Sequence, residues 1–252
     1  MRKVSDYIEF LRALKASVIQ ESSFSCEPLL EAIFRNPRLI IVPNHATPLS
    51  WIAVMCELAD QAVLAGAGDF TPRAVADRWF YTNPLTKAVA EYLTQSDHPM
   101  NSDELIESFK NAEREALVIF PEGANSFFGN VNEIQPFRSS KFIEISIRCQ
   151  APLLLTVHKG TEGWSVPLQI PQEIGQAILP YSKFFGEKLQ QAQAFNWPLW
   201  PQKIQKFSMN CKLYVPPLYE SDLAADPLAR REQLAHEAEG IRQIMEEMRE
   251  NL

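Results

Sequence analysis

The chain has 252 residues, of which 46% are hydrophobic and 22% are charged, and its formal net charge is −7. This composition fits a folded chain with a sizeable core and excludes a disordered one. The acidic balance also excludes a general nucleic-acid binder, because neutralising phosphates requires clustered Lys and Arg. We therefore expect no nucleic-acid partner.

The first part of the chain predicts helices around a short apolar strand. Residues 4–19 repeat apolar side chains at helical spacing, and residues 29–34 predict a short second helix. Residues 38–42 form an apolar run closed by a proline, which is typical of a buried strand. A helix is predicted over residues 49–58 and a further strand at residues 63–65.

The middle of the chain continues this alternation. Residues 73–93 predict helical turns, and residues 102–115 predict a helix that begins with a serine cap. Residues 116–120 predict a second buried strand, residues 139–148 a helix, and residues 152–157 a third strand. This pattern predicts an α/β fold with a mainly parallel or mixed central sheet flanked by helices.

The last part of the chain is less regular. Residues 180–207 are rich in aromatic side chains, and residues 209–215 predict a late strand. No repeat or linker interrupts the sequence, so we expect a single domain over residues 1–252. That domain would begin with a helical segment over residues 1–35 and end with a helix over residues 227–250.

Two strand-end turns carry the side chains best suited to chemistry. His45 follows the first buried strand within Val-Pro-Asn-His, and Glu122 follows the second within Phe-Pro-Glu-Gly. In open α/β sheets, sites form beyond the carboxyl ends of the strands. An imidazole there can act as a general base toward a hydroxyl group. A carboxylate from a neighbouring strand end could bind a second hydroxyl of the same acceptor.

Together these turns resemble two sequence blocks of the lysophospholipid acyltransferase family, which includes the bacterial 1-acylglycerol-3-phosphate acyltransferases. The family has Asn-His-x-x-x-x-Asp and, further along, Phe-Pro-Glu-Gly-Thr-Arg-Ser. Its later blocks resemble residues 136–142 and 151–155 of this chain, and the similarity spans roughly residues 38–160.

The resemblance implies a glycerolipid acyltransferase-like fold and an acyl-transfer reaction. The family's histidine deprotonates an acceptor hydroxyl, which attacks the thioester of acyl-CoA or acyl-carrier protein, while its aspartate orients the imidazole. Carried over to this chain, the catalytic positions are His45 and Ser50. The implied substrate-binding positions are Asn44, Glu122, Gly123, Asn125, Arg138 and Lys141. No metal or redox cofactor is implied.

The chain departs from the family pattern in three places. Ser50 stands at the aspartate position, where its hydroxyl can hold an imidazole tautomer but supplies no charge. Loss of that carboxylate costs about 10⁴-fold in rate in the serine-protease triad. Ala124 and Asn125 replace Thr-Arg, and residues 94–98 lack the arginine that the family uses for phosphate.

These departures leave two main interpretations open, with a hydrolase as a third. In the first, the enzyme is active on an acceptor without a bare phosphomonoester, and another acid such as Asp69 or Asp97 supports His45. In the second, the chain is a catalytically impaired lipid-binding or scaffold member of the same fold. His158 follows the third strand and either faces the site or is structural.

The sequence predicts a cytoplasmic protein bound peripherally to the inner face of a membrane. No apolar window reaches the roughly 18 residues of a spanning helix, and the N-terminus lacks a secretory h-region. The four cysteines form no CxxC pair, which suits a reducing compartment. The expected partners are an acyl thioester donor, carried by CoA or by acyl-carrier protein, and a lipid acceptor. Residues 195–201 either enter a bilayer interface or pack on the domain.

Overall fold

The computed structural model describes residues 1–82, 84–169 and 194–252, so residues 180–193 of the aromatic stretch lie outside the described residues. The chain is an α/β protein with a mixed central sheet flanked by helices. The helices are α1 (Val4–Val18), α2 (Leu30–Ile33), α3 (Trp51–Leu64), α4 (Pro84–Thr94), α5 (Ser102–Lys110), α6 (Lys141–Cys149) and α7 (Pro227–Glu250). The strands are β1 (Ile19–Glu27), β2 (Arg38–Pro43), β3 (Thr71–Ala74), β4 (Glu115–Val118), β5 (Leu153–Lys159), β6 (Ser165–Gln169), β7 (Ala194–Pro198) and β8 (Ile204–Tyr214).

The main sheet has six strands in the order β1-β8-β5-β2-β4-β3. Strand β2 lies in its interior and pairs in parallel with both β4 and β5. The β5–β8 pair is antiparallel, which makes the sheet mixed. Strands β6 and β7 form a separate antiparallel pair. Because β2 and β4 run side by side in the same direction, the turns that follow them lie at one edge of the sheet.

The helices bury both faces of this sheet, and β2 shows how its residues divide between them. Leu39 and Ile41 pack into the core formed with α1, α2 and α3. Ile40 and Val42 pack into the opposite core, formed with α5, α6 and α7. This alternation is the period of two expected for a strand covered on both faces, and it explains the continuous apolar run in the sequence.

Two predicted elements were wrong. Residues 63–65 end α3 instead of forming a strand, and the strand of this region is β3. The segment over residues 1–35 is not wholly helical, because strand β1 lies between α1 and α2. Both missed strands lie at the edges of the sheet, where few side chains are buried, so neither carries an apolar run.

The final helix confirms the predicted C-terminal element and also supports the site. Asp226 caps its N-terminus by accepting a hydrogen bond of 2.8 Å from the Ala229 N–H. Near its other end, Arg249 pairs with Glu162 at 2.9 Å and donates to the backbone carbonyl of Asn132. Helix α7 thereby fixes the loop that reaches the second strand-end turn. Across the described ranges, no helix combines the length and apolarity needed to cross a membrane.

Candidate active site

The two strand-end turns meet, and a direct hydrogen bond joins them. His45 follows β2, and Glu122 follows β4 in the neighbouring position. The backbone N–H of His45 donates to Glu122 Oε1 at 2.6 Å. The preceding Asn44 extends the ladder to β5 by donating its N–H to the Thr156 carbonyl at 3.0 Å. The backbone that carries the imidazole is therefore held from both neighbouring strands.

The Ser50 hydroxyl sets the tautomer of the His45 ring. Ser50 Oγ lies 3.1 Å from His45 Nδ1 and 2.9 Å from the Thr47 carbonyl oxygen. A carbonyl can only accept, so the single hydroxyl proton of Ser50 goes to Thr47 and its oxygen accepts from Nδ1–H. The lone pair of the ring is then on Nε2, which makes no hydrogen bond within the described residues. The ring of Phe120 packs against the imidazole, with centroids 4.9 Å apart.

The electrostatic surroundings make this imidazole a weak base. Burial lowers the pKa of His45 to about 4, and hydrogen bonding at the Thr47 backbone only partly opposes that effect. No carboxylate in the described part of the chain bonds to the ring. The expectation that Asp69 or Asp97 supports His45 does not hold, since Asp69 pairs with Arg114 and Asp97 with the adjacent His98. Ser50 thus supplies orientation without charge.

The Glu122 carboxyl group is buried and bonds to the protein backbone, whereas the sequence predicted that it binds the acceptor. Its side chain is fully buried, and its second oxygen accepts from the Gln135 N–H at 2.8 Å. Burial raises the pKa of Glu122 to about 8, while the backbone N–H groups of His45 and Gln135 pull it in the opposite direction. Both oxygens are committed to the protein backbone, so the geometry does not support the predicted contact with an acceptor hydroxyl. The carboxyl group holds the turn that contains His45 against the 130–136 loop.

Two predicted substrate-binding asparagines are also committed to the protein. Asn44 is buried, and its Oδ1 accepts from the His158 N–H at 2.9 Å. Asn125 is buried and donates to the Pro136 carbonyl at 2.6 Å. These bonds fix the surrounding backbone, whereas Asn44 Nδ2 is buried with no hydrogen-bond partner among the described residues. Substrate binding by the two asparagines stays a prediction.

His158 has the structural role that the sequence left open. Its ring is fully buried, and its Nε2 lies 3.0 Å from Thr161 Oγ1. Burial lowers the pKa of His158 to about 3, and the nearby Arg249 acts in the same direction. The ring therefore stays neutral inside the fold.

His45 lies on the wall of a cavity of about 1510 Å³ whose lining is mostly apolar. Small-molecule pockets usually occupy about 300–1,000 Å³, so this cavity suits a longer ligand. Gly123 is also on its wall, with a φ of 51° that favours glycine. The cavity therefore brings together the imidazole and the turn after Glu122, as the strand-end positions predicted.

Positively charged side chains also line this cavity, although the net charge of the chain is negative. Arg138 lies beside Gly123 and pairs with Asp77 at 3.4 Å. Lys141 begins α6 and is exposed, and Arg78 follows Asp77 in the chain. The predicted residues Arg138 and Lys141 thus reach the cavity, and their binding of substrate stays a prediction.

Sequence reasoning missed Arg78, and it predicted the helices of the cavity wall without indicating that they enclose a cavity. Apolar residues from α1, α3 and α4 line more than a third of it. The amphipathic pattern of α1 was a usable signal for an apolar face, but not for a cavity beneath it. Within residues 1–82, 84–169 and 194–252, no group of three or more His, Cys, Asp or Glu side chains is arranged to hold a metal ion.

Comparison with known proteins adds no family assignment, because neither the protein-family models nor the curated proteins gave a match to this chain. The fold and the site define an α/β protein with a histidine–serine pair at the wall of a large apolar cavity.

Proposed function

We propose that this chain is a glycerolipid-type acyltransferase with the corresponding fold. It would move a fatty acyl group from a thioester of CoA or acyl-carrier protein to a hydroxyl of a lysophospholipid-like acceptor. One observation carries the proposal: Ser50 leaves the Nε2 lone pair of His45 available at the wall of an apolar cavity. The resemblance of the two turns to the family blocks supports the same reaction.

The geometry supports direct transfer of the acyl group from the thioester donor to the acceptor hydroxyl. The acceptor hydroxyl donates to His45 Nε2, and its oxygen attacks the thioester carbonyl as the imidazole takes the proton. The tetrahedral intermediate collapses with cleavage of the carbon–sulfur bond, and the leaving thiolate takes the proton back from the imidazolium. The acceptor is itself the nucleophile, so no acyl-enzyme forms. Ser50 orients the ring and Glu122 holds its backbone.

The part of the cavity beneath α1 and α3 has the dimensions for a fatty acyl chain. It extends from His45, just beyond β2, to Phe34, just before β2. Strand β2 has six residues, which corresponds to about 20 Å at a rise of about 3.3 Å per residue. A lipid chain spans half of a hydrocarbon core about 30 Å thick, or about 15 Å. The donor of our proposal is therefore a long-chain thioester.

Exposed apolar side chains at the cavity support action at a membrane surface. Phe10 on α1 is 63% exposed and Trp200 is 88% exposed, and both line the cavity. Aromatic side chains of this kind favour the interface of a bilayer. We propose that the protein binds the cytoplasmic face peripherally, where a lipid acceptor can enter the cavity without crossing water.

The missing carboxylate favours a second candidate, a lipid-binding protein with little transferase activity. The low pKa of His45 weakens it as a base, and the Ser50 hydroxyl cannot stabilise an imidazolium as an aspartate would. Both candidates use the same cavity, so only a measurement of turnover separates them.

The deciding experiment measures transfer of a radiolabelled acyl group from palmitoyl-CoA to lysophospholipids, with wild type, His45→Ala and His236→Ala. His236 is exposed on α7, so its variant is a matched control for the loss of an imidazole. We expect transfer by wild type and His236→Ala and its loss in a folded His45→Ala protein. Equal background in all three would support the lipid-binding candidate. Release of free fatty acid without an acceptor would indicate a hydrolase.

A further inference from the structure

Strands β1 and β8 carry one cysteine each at facing positions of the main sheet. The two strands run in parallel, and their register places Cys26 directly beside Cys211. Both side chains point into the core formed with α1, α2 and α3, where Cys211 is buried and Cys26 packs against the buried cluster. The two thiols therefore lie on the same face of neighbouring strands.

The spacing of the sheet brings these thiols within reach of a disulfide bond. Neighbouring strands lie about 4.8 Å apart, and the Cα atoms of a disulfide are usually about 4.4–6.8 Å apart. Facing residues that point to one side of a sheet meet this distance requirement. Burial raises the pKa of the Cys211 thiol, and the adjacent Cys26 thiol raises it further, as expected for two thiols that lie close together.

The two thiols differ in their access to solvent. Cys26 lies on an edge strand and is partly exposed, whereas Cys211 is fully buried. A dissolved oxidant therefore reaches Cys26 first and can act on Cys211 only through Cys26. The other two cysteines are buried, Cys56 on α3 and Cys149 at the end of α6, and Cys149 belongs to the opposite core. All four cysteines are free thiols.

We propose that Cys26 and Cys211 are an oxidation-sensitive pair, which a small disulfide such as glutathione disulfide converts into a bond between β1 and β8. First, the Cys26 thiolate attacks one sulfur of glutathione disulfide, whose S–S bond breaks, and one glutathione thiolate leaves. Then Cys211 loses its proton, and its sulfur attacks Cys26 Sγ and releases the second glutathione thiolate. The cysteines lose two electrons, which reduce glutathione disulfide to two thiols, and both cysteine protons pass to the departing thiolates.

The disulfide fastens an edge of the sheet. Within the described strands, β1 pairs with β8 alone, so hydrogen bonds hold it from one side only. A bond from Cys26 to Cys211 closes a loop that contains most of the chain, and a cross-link that closes a long loop restricts the unfolded chain strongly. The pair is thus a reversible modification site that stabilises the fold under oxidising conditions, and it is independent of the proposed acyl transfer.

The test treats the reduced protein with glutathione disulfide and follows its intact mass and its free thiols. We expect wild type to lose two hydrogens without retaining a glutathionyl group, and its free thiols to fall from four to two. Peptide mapping without reductant should link Cys26 to Cys211, and dithiothreitol should reverse the change. The oxidised protein should unfold at a higher urea concentration than the reduced protein.

Three variants separate the two steps of the exchange. Cys211→Ala lacks the second thiol, so it should retain one glutathionyl group on Cys26. Cys26→Ser lacks the accessible thiol, so Cys211 should stay unmodified. The double variant Cys56→Ala/Cys149→Ala keeps the pair and should form the disulfide as wild type does. The wild-type measurements need no substitution, so they decide the question even if a core variant fails to fold.

Other products in wild type would overturn the proposal. These are four unchanged thiols, a lasting glutathionyl group on Cys26, a disulfide between two copies of the chain, and a bond that involves Cys56 or Cys149. An oxidised protein that unfolds at a lower urea concentration than the reduced protein would also overturn it, because the bond would then not fit the native sheet.

Discussion

A carboxylate introduced at position 50 should convert His45 into a stronger base. The Ser50 side chain is fully buried and already touches Nδ1, so Ser50→Asp places a charge against the ring. The negative charge stabilises the imidazolium, and the pKa of His45 rises from its present value of about 4. We expect kcat to increase by about tenfold or more, within the roughly 10⁴-fold that the carboxylate contributes in a serine-protease triad.

The size of this effect follows from the distance. Two unit charges about 4 Å apart interact by about 4 kcal/mol at an effective dielectric constant of about 20. One pKa unit corresponds to about 1.4 kcal/mol, so the acidic limb of the pH–rate profile should move up by about 2 to 3 pH units. The wild-type profile should be flat above about pH 5, because a group whose pKa is about 4 is already neutral there. The variant should also melt at a lower temperature, since the Thr47 carbonyl loses its donor.

The assay is acyl transfer from palmitoyl-CoA between pH 4 and pH 9, with Ser50→Ala as the matched control. Ser50→Ala removes the partner of Nδ1 without adding charge, and we expect it to lower kcat by about fivefold to a hundredfold, equivalent to about 1–3 kcal/mol. An unchanged profile in a folded Ser50→Asp protein would refute the dyad. So would a Ser50→Ala protein as active as wild type.

Three further predictions test other parts of the structure. Glu122→Gln can accept a hydrogen bond from only one of the two backbone N–H groups, and Glu122→Ala from neither, so kcat should fall progressively, by about tenfold or more in the alanine variant. The effect on KM for the donor should be smaller. If both variants were as active as wild type, Glu122 would not hold the His45 turn in place. Ala116→Leu shortens the part of the cavity beneath α1 and α3, so kcat/KM should fall more for palmitoyl-CoA than for octanoyl-CoA. An equal loss for both donors would exclude an acyl-chain binding site there. The pKa of His158 is about 3 in the fold and near 6.5 when unfolded, so the unfolded chain binds the proton first on acidification. His158 should therefore make the free energy of unfolding fall by up to about 1.4 kcal/mol per pH unit below pH 6.5, and urea unfolding of His158→Gln should lack this part of the slope.

The elements that sequence predicted well are those whose signal is local. Strand β2 is buried on both faces, so its apolar run alone was sufficient to predict a strand. The residue that caps α7 lies within a few residues of the helix start, so a short sequence window contains that signal as well. The edge strands β1 and β3 were missed because their side chains are largely outside the cores. Their hydrogen bonds to distant strands decide their conformation, and no short sequence window contains that information.

The sequence by itself determined that His45 and Glu122 each follow an apolar strand and that a serine stands five residues after the histidine. Only the tertiary structure decided what these polar groups do. The partners of Glu122 and Asn44 are backbone groups of Gln135 and His158, which approach because distant loops pack against the sheet edge. Burial then commits such groups to hydrogen bonds inside the protein, since an unpaired buried polar group is costly. The cavity likewise exists only because helices far apart in the chain cover two faces of one sheet.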